Sequence, residues 1–138
     1  MVDVNIVHAR IERIRKCVSK LKKIARTQTK AEFLQDSDSI DVAEHNIQMA
    51  IQCVLDISNH LLADLKVGVP DDHQKIFSML ATQKILPGDL SDRLSQMAGL
   101  RNVLVHEYLD VDLEILYTAM TEELPDFEEF IKAVTKLI

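Results

Sequence analysis

Apolar residues recur at alternating steps of three and four along most of this 138-residue chain. The first run is Val4, Val7, Ile11, Ile14, Val18, Leu21 and Ala25, and the second is Ile40, Ala43, Ile47, Ala50, Val54, Ile57, Leu61 and Leu65. Such steps place side chains on one face of an α-helix, whereas a strand alternates with a period of two. The runs predict helices over residues 3–26 and 39–65. The polar stretch KAEFLQDSDS connects them, and Asp38 or Ser39 is expected to cap the second helix.

Three further helices are expected in the second half of the chain. The pattern indicates a short helix near residues 76–85, a fourth over 90–107, and a last helix that begins after Asp112. Pro125 should kink or split that helix, because proline lacks a backbone donor and crowds the preceding turn. Gly and Pro number only three each, too few for a turn-rich β fold. We predict an all-α fold, an antiparallel up-and-down bundle of about five helices in a single domain over residues 1–138.

Charge is distributed unevenly along the chain. The net charge is −6, yet residues 1–30 hold nine Lys and Arg against two acidic residues. Two interpretations are open for this basic segment. It packs beside acidic neighbours with a solvated outer face, or it presents a phosphate-binding patch to RNA. The patch would consist of Arg10, Arg13, Lys16, Lys20 and Lys23.

Several features favour a cytoplasmic protein that does not associate with a membrane. No apolar run approaches the roughly 20 residues that cross a bilayer. The N-terminus is charged every few residues, so it has no apolar signal segment. Cys17 and Cys53 both lie within apolar helical runs, which favours reduced core thiols over a disulfide.

The stretch GLRNVLVHEYLDVD, residues 99–112, concentrates polar residues at the end of the fourth helix. Asn102 and His106 are four apart and share a face, while Arg101 and Tyr108 would share another face that is otherwise apolar. An arginine in an apolar core is costly unless it is paired. Either the helix distorts near His106, or this face meets a second subunit around a polar pocket; the second interpretation fits the sequence better.

The residue types in this stretch suit RNA cleavage without a metal. Histidine transfers protons near neutral pH, and arginine presents a charged fork to phosphate oxygens. We take Arg101 and His106 as catalytic candidates and Asn102 as a supporting residue that binds phosphate or orients His106. Because each chain has one motif histidine, an acid and a base both drawn from histidine require a homodimer. Structural alternatives stay open: a paired or C-terminal arginine, a capping histidine and, for Tyr108, a packed aromatic ring.

The stretch MAGLRNVLVHEY resembles the HEPN superfamily, and its Arg-x4-His-x-Tyr pattern is that of the HepT-like toxins. The segments HNIQMAIQCVLDISNHLL and KIFSMLATQKIL are similar to the second and third helices of that family. The resemblance implies a metal-independent endoribonuclease toxin, usually a dimer with the motif at its interface. It also implies a partner, a small nucleotidyltransferase antitoxin that silences the toxin by adding AMP to the motif tyrosine, here Tyr108.

Two other functions remain open, and no metal or cofactor is expected. A non-catalytic subunit of a minimal nucleotidyltransferase, binding nucleotide or the partner, would also use an arginine, whereas a plain dimerisation bundle would need none of the motif. The other histidines show no HxxxH or Cys–His spacing for zinc, and no glycine-rich phosphate loop is present. Asp110 and Asp112 are explained by a turn followed by a helix cap more simply than by a metal pair.

Overall fold

The computed structural model describes residues 2–106 and 112–138, with side chains for 2–101 and 112–138. Its described residues form seven helices and no strand. These are α1 (Val4–Thr27), α2 (Lys30–Gln35), α3 (Ser37–Leu65), α4 (His73–Thr82), α5 (Gly88–His106), α6 (Leu113–Glu122) and α7 (Leu124–Thr135). The all-α fold class predicted from the apolar period is confirmed. The five expected helices correspond to α1, α3, α4, α5 and the α6–α7 pair.

Proline splits the last helix as the sequence predicts. Glu123 is the C-cap of α6 and also the N-cap of α7, with Pro125 in the first turn of α7. A proline in that turn costs little, because the N–H it lacks has no partner within the helix there. The C-terminal segment is therefore two short helices that change direction at one residue.

The helix α2 has no counterpart among the predicted elements. It begins at a capping box in which the Glu32 amide donates to Thr29 Oγ1 at 3.2 Å and the Thr29 amide donates to Glu32 Oε1 at 3.0 Å. Phe33 is fully buried, with its ring centroid 5.6 Å from that of Tyr117 on α6. A six-residue helix is marginal alone, so this capping and packing stabilise it.

Asp36, rather than Asp38 or Ser39, caps α3. Its carboxylate accepts from the backbone amides of Asp38 and Ser39 and, at 2.8 Å, from Gln28 Nε2. These bonds, that from Gln28 first, lower the pKa of Asp36 below its ordinary value. The cap therefore joins the start of α3 to the end of α1.

The longest helix, α3, contacts every other helix and forms the centre of the bundle. It lies antiparallel to α1: the Asp3 amide donates to His60 Nε2 at 2.9 Å, and Arg10 lies opposite Asp56. The apolar face of α1 is buried against it, with Val7 and Ile14 fully inaccessible. Within the described ranges, no helix combines the length and apolar character that crossing a membrane requires.

Candidate functional site

Arg101 occupies a core-facing position near the end of α5. The buried residues Leu90, Leu94 and Met97 precede it on the same face at helical spacing. Arg101 itself is partly exposed, and the backbone stays helical through His106. The arginine therefore lies where the apolar stripe of α5 reaches the edge of the core, and no break in the described helix separates it from His106.

A polar side chain of α3 accepts a hydrogen bond from the guanidinium of Arg101. Arg101 Nη2 donates to Gln52 Oε1 at 2.7 Å, which joins two residues 49 positions apart. The Gln52 amide nitrogen donates in turn to Asp56 Oδ1 at 2.8 Å, one turn further along α3. The second carboxylate oxygen of Asp56 accepts from Arg10 Nε at 3.2 Å. These bonds form an Arg101–Gln52–Asp56–Arg10 network across α5, α3 and α1.

The network holds Arg101 without neutralising it. Gln52 is an uncharged amide, so the short bond fixes the guanidinium while its positive charge is retained. The one carboxylate of the network, Asp56, instead pairs with Arg10 and orients the Gln52 amide. With two arginines and one aspartate, the network carries a net positive charge. Such an arrangement suits the binding of a phosphate group by Arg101.

The remaining residues of the motif are placed only in part. Asn102 and His106 lie on the α5 backbone, one turn apart and therefore on a common face; their side chains are outside the described part of the chain. The Cα atoms of Arg101 and His106 are about 140° apart around the helix axis. Tyr108 lies outside the described residues. The roles predicted for these three residues stay predictions.

The two cysteines flank the network on the buried side. Cys17 and Cys53 are both free thiols in the core, which confirms their interpretation as small core residues. Burial raises the pKa of the Cys53 thiol to about 11, and the nearby Asp56 carboxylate adds to the shift. A thiol with so high a pKa is protonated at neutral pH and is a poor nucleophile. Neither thiol is a candidate for catalysis.

A groove of about 570 Å³ lies elsewhere, between the start of α5 and α7. At its wall Arg93 Nη1 contacts Asp126 Oδ1 at 2.8 Å and Glu129 Oε2 at 2.9 Å. Arg93 is eight residues before Arg101, about 12 Å along the helix axis. Its arginine is already paired with acidic side chains, whereas Lys84, Lys132 and Lys136 also line the groove, which lies away from the motif.

No grouping of three His, Cys, Asp or Glu side chains suited to a metal ion is found in the described part of the chain. The donors assembled at Arg101 are a guanidinium and an amide, with one carboxylate that is already ion-paired. Sequence patterns missed Gln52 and Asp56. Their spacing of four residues places both on one side of α3, but other polar residues of this helix share that pattern.

Comparison with known proteins identifies the family of the chain. The profile of the family described as Ribonuclease HepT-like matches residues 14–134. The mRNA nuclease HepT of Shewanella oneidensis is 30% identical over 130 residues, which are 94% of this chain and 96% of that protein. The tRNA nuclease HepT of Aphanizomenon flos-aquae is 27% identical over 133 residues, which are 96% and 90% of the two chains.

Solved structures of other proteins share the fold of this chain. The tri-AMPylated HEPN toxin of Shewanella oneidensis, in complex with the MNT antitoxin, has a TM-score of 0.87 and 30% identity, with 99% of both chains covered. A Bacillus subtilis cytosolic protein of unknown function, YutE, shares the fold with a TM-score of 0.84 at 18% identity. The fold and these relatives define the class of the protein, an all-helical ribonuclease of the HEPN type. The chain belongs to the HepT-like ribonuclease family, as the motif predicts.

Proposed function

We propose that this chain is the toxin of a toxin–antitoxin pair, a metal-independent endoribonuclease that acts in the cytoplasm as a single HEPN-like domain over residues 1–138. The observation that carries the proposal is the short bond from Arg101 to the neutral Gln52 amide. It holds a charged group at the edge of the core while leaving its charge for a phosphate. The nuclease relatives from Shewanella and Aphanizomenon support RNA as the substrate.

The reaction is attack by the ribose 2′-oxygen on the adjacent phosphorus. A base removes the 2′-OH proton, the new O–P bond forms, and the bond to the 5′-oxygen breaks as an acid protonates the leaving oxygen. The products are a 2′,3′-cyclic phosphate and a 5′-hydroxyl. His106 supplies the proton transfers, Arg101 stabilises the extra negative charge of the transition state, and Asn102 binds phosphate or orients His106.

The active assembly is a homodimer in which two motifs form one cleft. The Cα atoms of Arg101 and His106 lie far apart around the axis of α5, and each chain has one motif histidine. A twofold partner brings the histidine of one chain towards the arginine of the other and supplies both an acid and a base. The partly exposed edge of the core at Arg101 lies at this interface.

The partner that silences the toxin is a small nucleotidyltransferase. The related Shewanella toxin is AMPylated and bound to an MNT antitoxin, and a related toxin–antitoxin structure contains AMP-PNP. In this chain the antitoxin adds AMP to Tyr108. The added phosphate occupies Arg101, and the bulk and charge of the nucleotide exclude RNA from the cleft.

The test is RNA cleavage by the purified protein in excess chelator. We expect cleavage to continue and to leave cyclic phosphate ends. Arg101→Ala and His106→Ala should each lose on the order of a hundredfold or more in rate. Arg26→Ala and His45→Ala are matched controls, because both side chains are exposed on other helices.

Two results would contradict the proposal. Loss of cleavage in chelator would mean that the reaction depends on a metal. Cleavage that persists in both motif variants would mean that another site acts. Nucleotide binding without any RNA cleavage would favour the alternative function, a non-catalytic subunit of a nucleotidyltransferase.

A further inference from the structure

One side of α1 carries a row of exposed basic residues that the proposed reaction does not use. The row, called here the α1 basic face, consists of Arg10, Arg13, Lys16, Lys20 and Lys23. It extends over residues 10–23, about 20 Å of helix. All five side chains are exposed, in a protein whose net charge is −6.

Most charges of the α1 basic face are uncompensated. Arg10 pairs with Asp56, but within the described ranges no carboxylate lies within salt-bridge distance of the other four cations. Some basic residues elsewhere do have acidic partners: Arg15 contacts Glu12 at 3.5 Å, and Lys30 contacts Glu114. Packing against acidic neighbours therefore does not account for this face.

The α1 basic face begins on the α3 side of α1, where Arg10 pairs with Asp56. Arg13 and Lys20 are within about 80° of Arg10 around the helix axis. Both cations also act on the buried thiol of Cys17, whose pKa is raised by burial and lowered by their charges. The opposite flank of α1 faces α7 instead, where Arg15 and Glu128 line a shared groove. The two flanks of the helix are thus distinguishable.

The face is continuous with the arginine of the motif. Arg10 is its first member and also the last member of the Arg101–Gln52–Asp56–Arg10 network. The network leads from Arg101 across the middle of α3 to Arg10, and the other basic residues follow along α1. A polyanion held at Arg101 meets the next cation at Arg10, with uncompensated charges beyond it.

We propose that the α1 basic face binds the RNA backbone on one side of the cleavage site, so that several nucleotides beyond the cut contribute to substrate binding. This inference rests on the proposed ribonuclease function. The recognition is through phosphates, so it strengthens binding without choosing a base sequence and weakens as salt rises. A row of lysines and arginines at successive helical turns suits successive phosphates of a single strand.

The test compares two double variants with the same change of charge. Arg13→Gln with Lys20→Gln removes two cations from the α1 basic face. Arg15→Gln with Lys22→Gln removes two from the opposite flank, at the same spacing and in the same helix. The probe is a 20-nucleotide, 2′-O-methylated oligouridylate, which lacks the attacking hydroxyl, and its binding is followed by fluorescence anisotropy over a range of salt concentrations.

We expect the first variant to bind more weakly and to lose about 1.4 from the slope of log K against log salt, since each single-strand phosphate contact contributes about 0.7. The control should keep the wild-type slope. Equal slopes in the two variants would overturn the proposal, even if the first variant also failed to dimerise or to bind a protein partner.

Cleavage assays separate this inference from the proposed function. The first variant should lose kcat/KM on an unmodified 20-nucleotide RNA and keep that of the wild type on the dinucleotide UpA, which is too short to reach the face. An equal loss on both substrates would overturn the inference and indicate damage to the cleavage site. A wild-type protein that cleaves neither substrate would refute the proposed function, while the binding comparison still decides the inference.

Discussion

Replacing Gln52 by methionine tests whether this residue positions Arg101 for catalysis. Methionine keeps the length and most of the volume of glutamine but cannot accept the 2.7 Å bond from Arg101 Nη2. A hydrogen bond to a charged group contributes about 1.5–3 kcal/mol. Because both side chains are partly exposed, water replaces part of the lost bond, so we take about 1.5–2 kcal/mol. The expected loss in kcat/KM for RNA is therefore about 10- to 30-fold.

A double-mutant cycle distinguishes positioning from general damage. If Gln52 acts through Arg101, Gln52→Met should cost little further activity once Arg101 is alanine, because the two effects are coupled. The control is Gln96→Met, the same substitution at an exposed position of α5, which should leave the activity unchanged. Urea unfolding of each variant shows whether the fold is retained. The reasoning is refuted if Gln52→Met costs the same factor with and without Arg101.

Three further predictions concern modification, assembly and stability. Incubation with the antitoxin and ATP should add AMP to wild type and to Tyr117→Phe but not to Tyr108→Phe; by mass spectrometry, equal labelling of Tyr108→Phe would contradict the assignment. Light scattering should report a dimer at micromolar concentration, and His106→Ala chains that exchange into wild-type dimers should lower the activity of a fixed amount of wild type, because one cleft needs both histidines; unchanged wild-type activity would contradict a shared site. Asp36→Ala should lower the Tm by roughly 3 °C at neutral pH through loss of the helix cap. The pKa of Asp36 is lowered in the folded chain. The stabilising contribution of its carboxylate is therefore present above its ordinary pKa and is lost as the pH falls through its folded pKa. The Tm difference should shrink in acid, and a constant difference would contradict this.

The long helices could be predicted because their apolar period is local. Residues 3–26 and 39–65 correspond to α1 and α3 within two residues at each end, and Pro125 marks the division between α6 and α7. The short helix α2 was missed because six residues hold too few turns to show a period. Its capping box was visible in the sequence, but the burial of Phe33 depends on a residue 84 positions away.

The candidate site, like the fold, could be predicted only in part from the sequence. Arg101 stood out because a charged residue fell on an apolar helix face, which is a local signal. Gln52 and Asp56 did not, since polar residues on the flank of a helix are usually solvated. Their role arises from the packing of α5 against α3, which brings together residues 49 positions apart. An apolar period predicts which face of a helix is buried, but not which polar residues meet at the margin of that face.

Two sets of polar contacts fix the direction of α5 in the bundle. Near its start Arg93 is tied to α7 through Asp126 and Glu129, and about 12 Å further on Arg101 is tied to α3. His106 lies roughly 7.5 Å past the second attachment. Because both sets of contacts determine the direction of α5, a shift at either one tilts the end of the helix that carries His106. Substitutions at the distant ion cluster should therefore be felt at the motif as a change of angle.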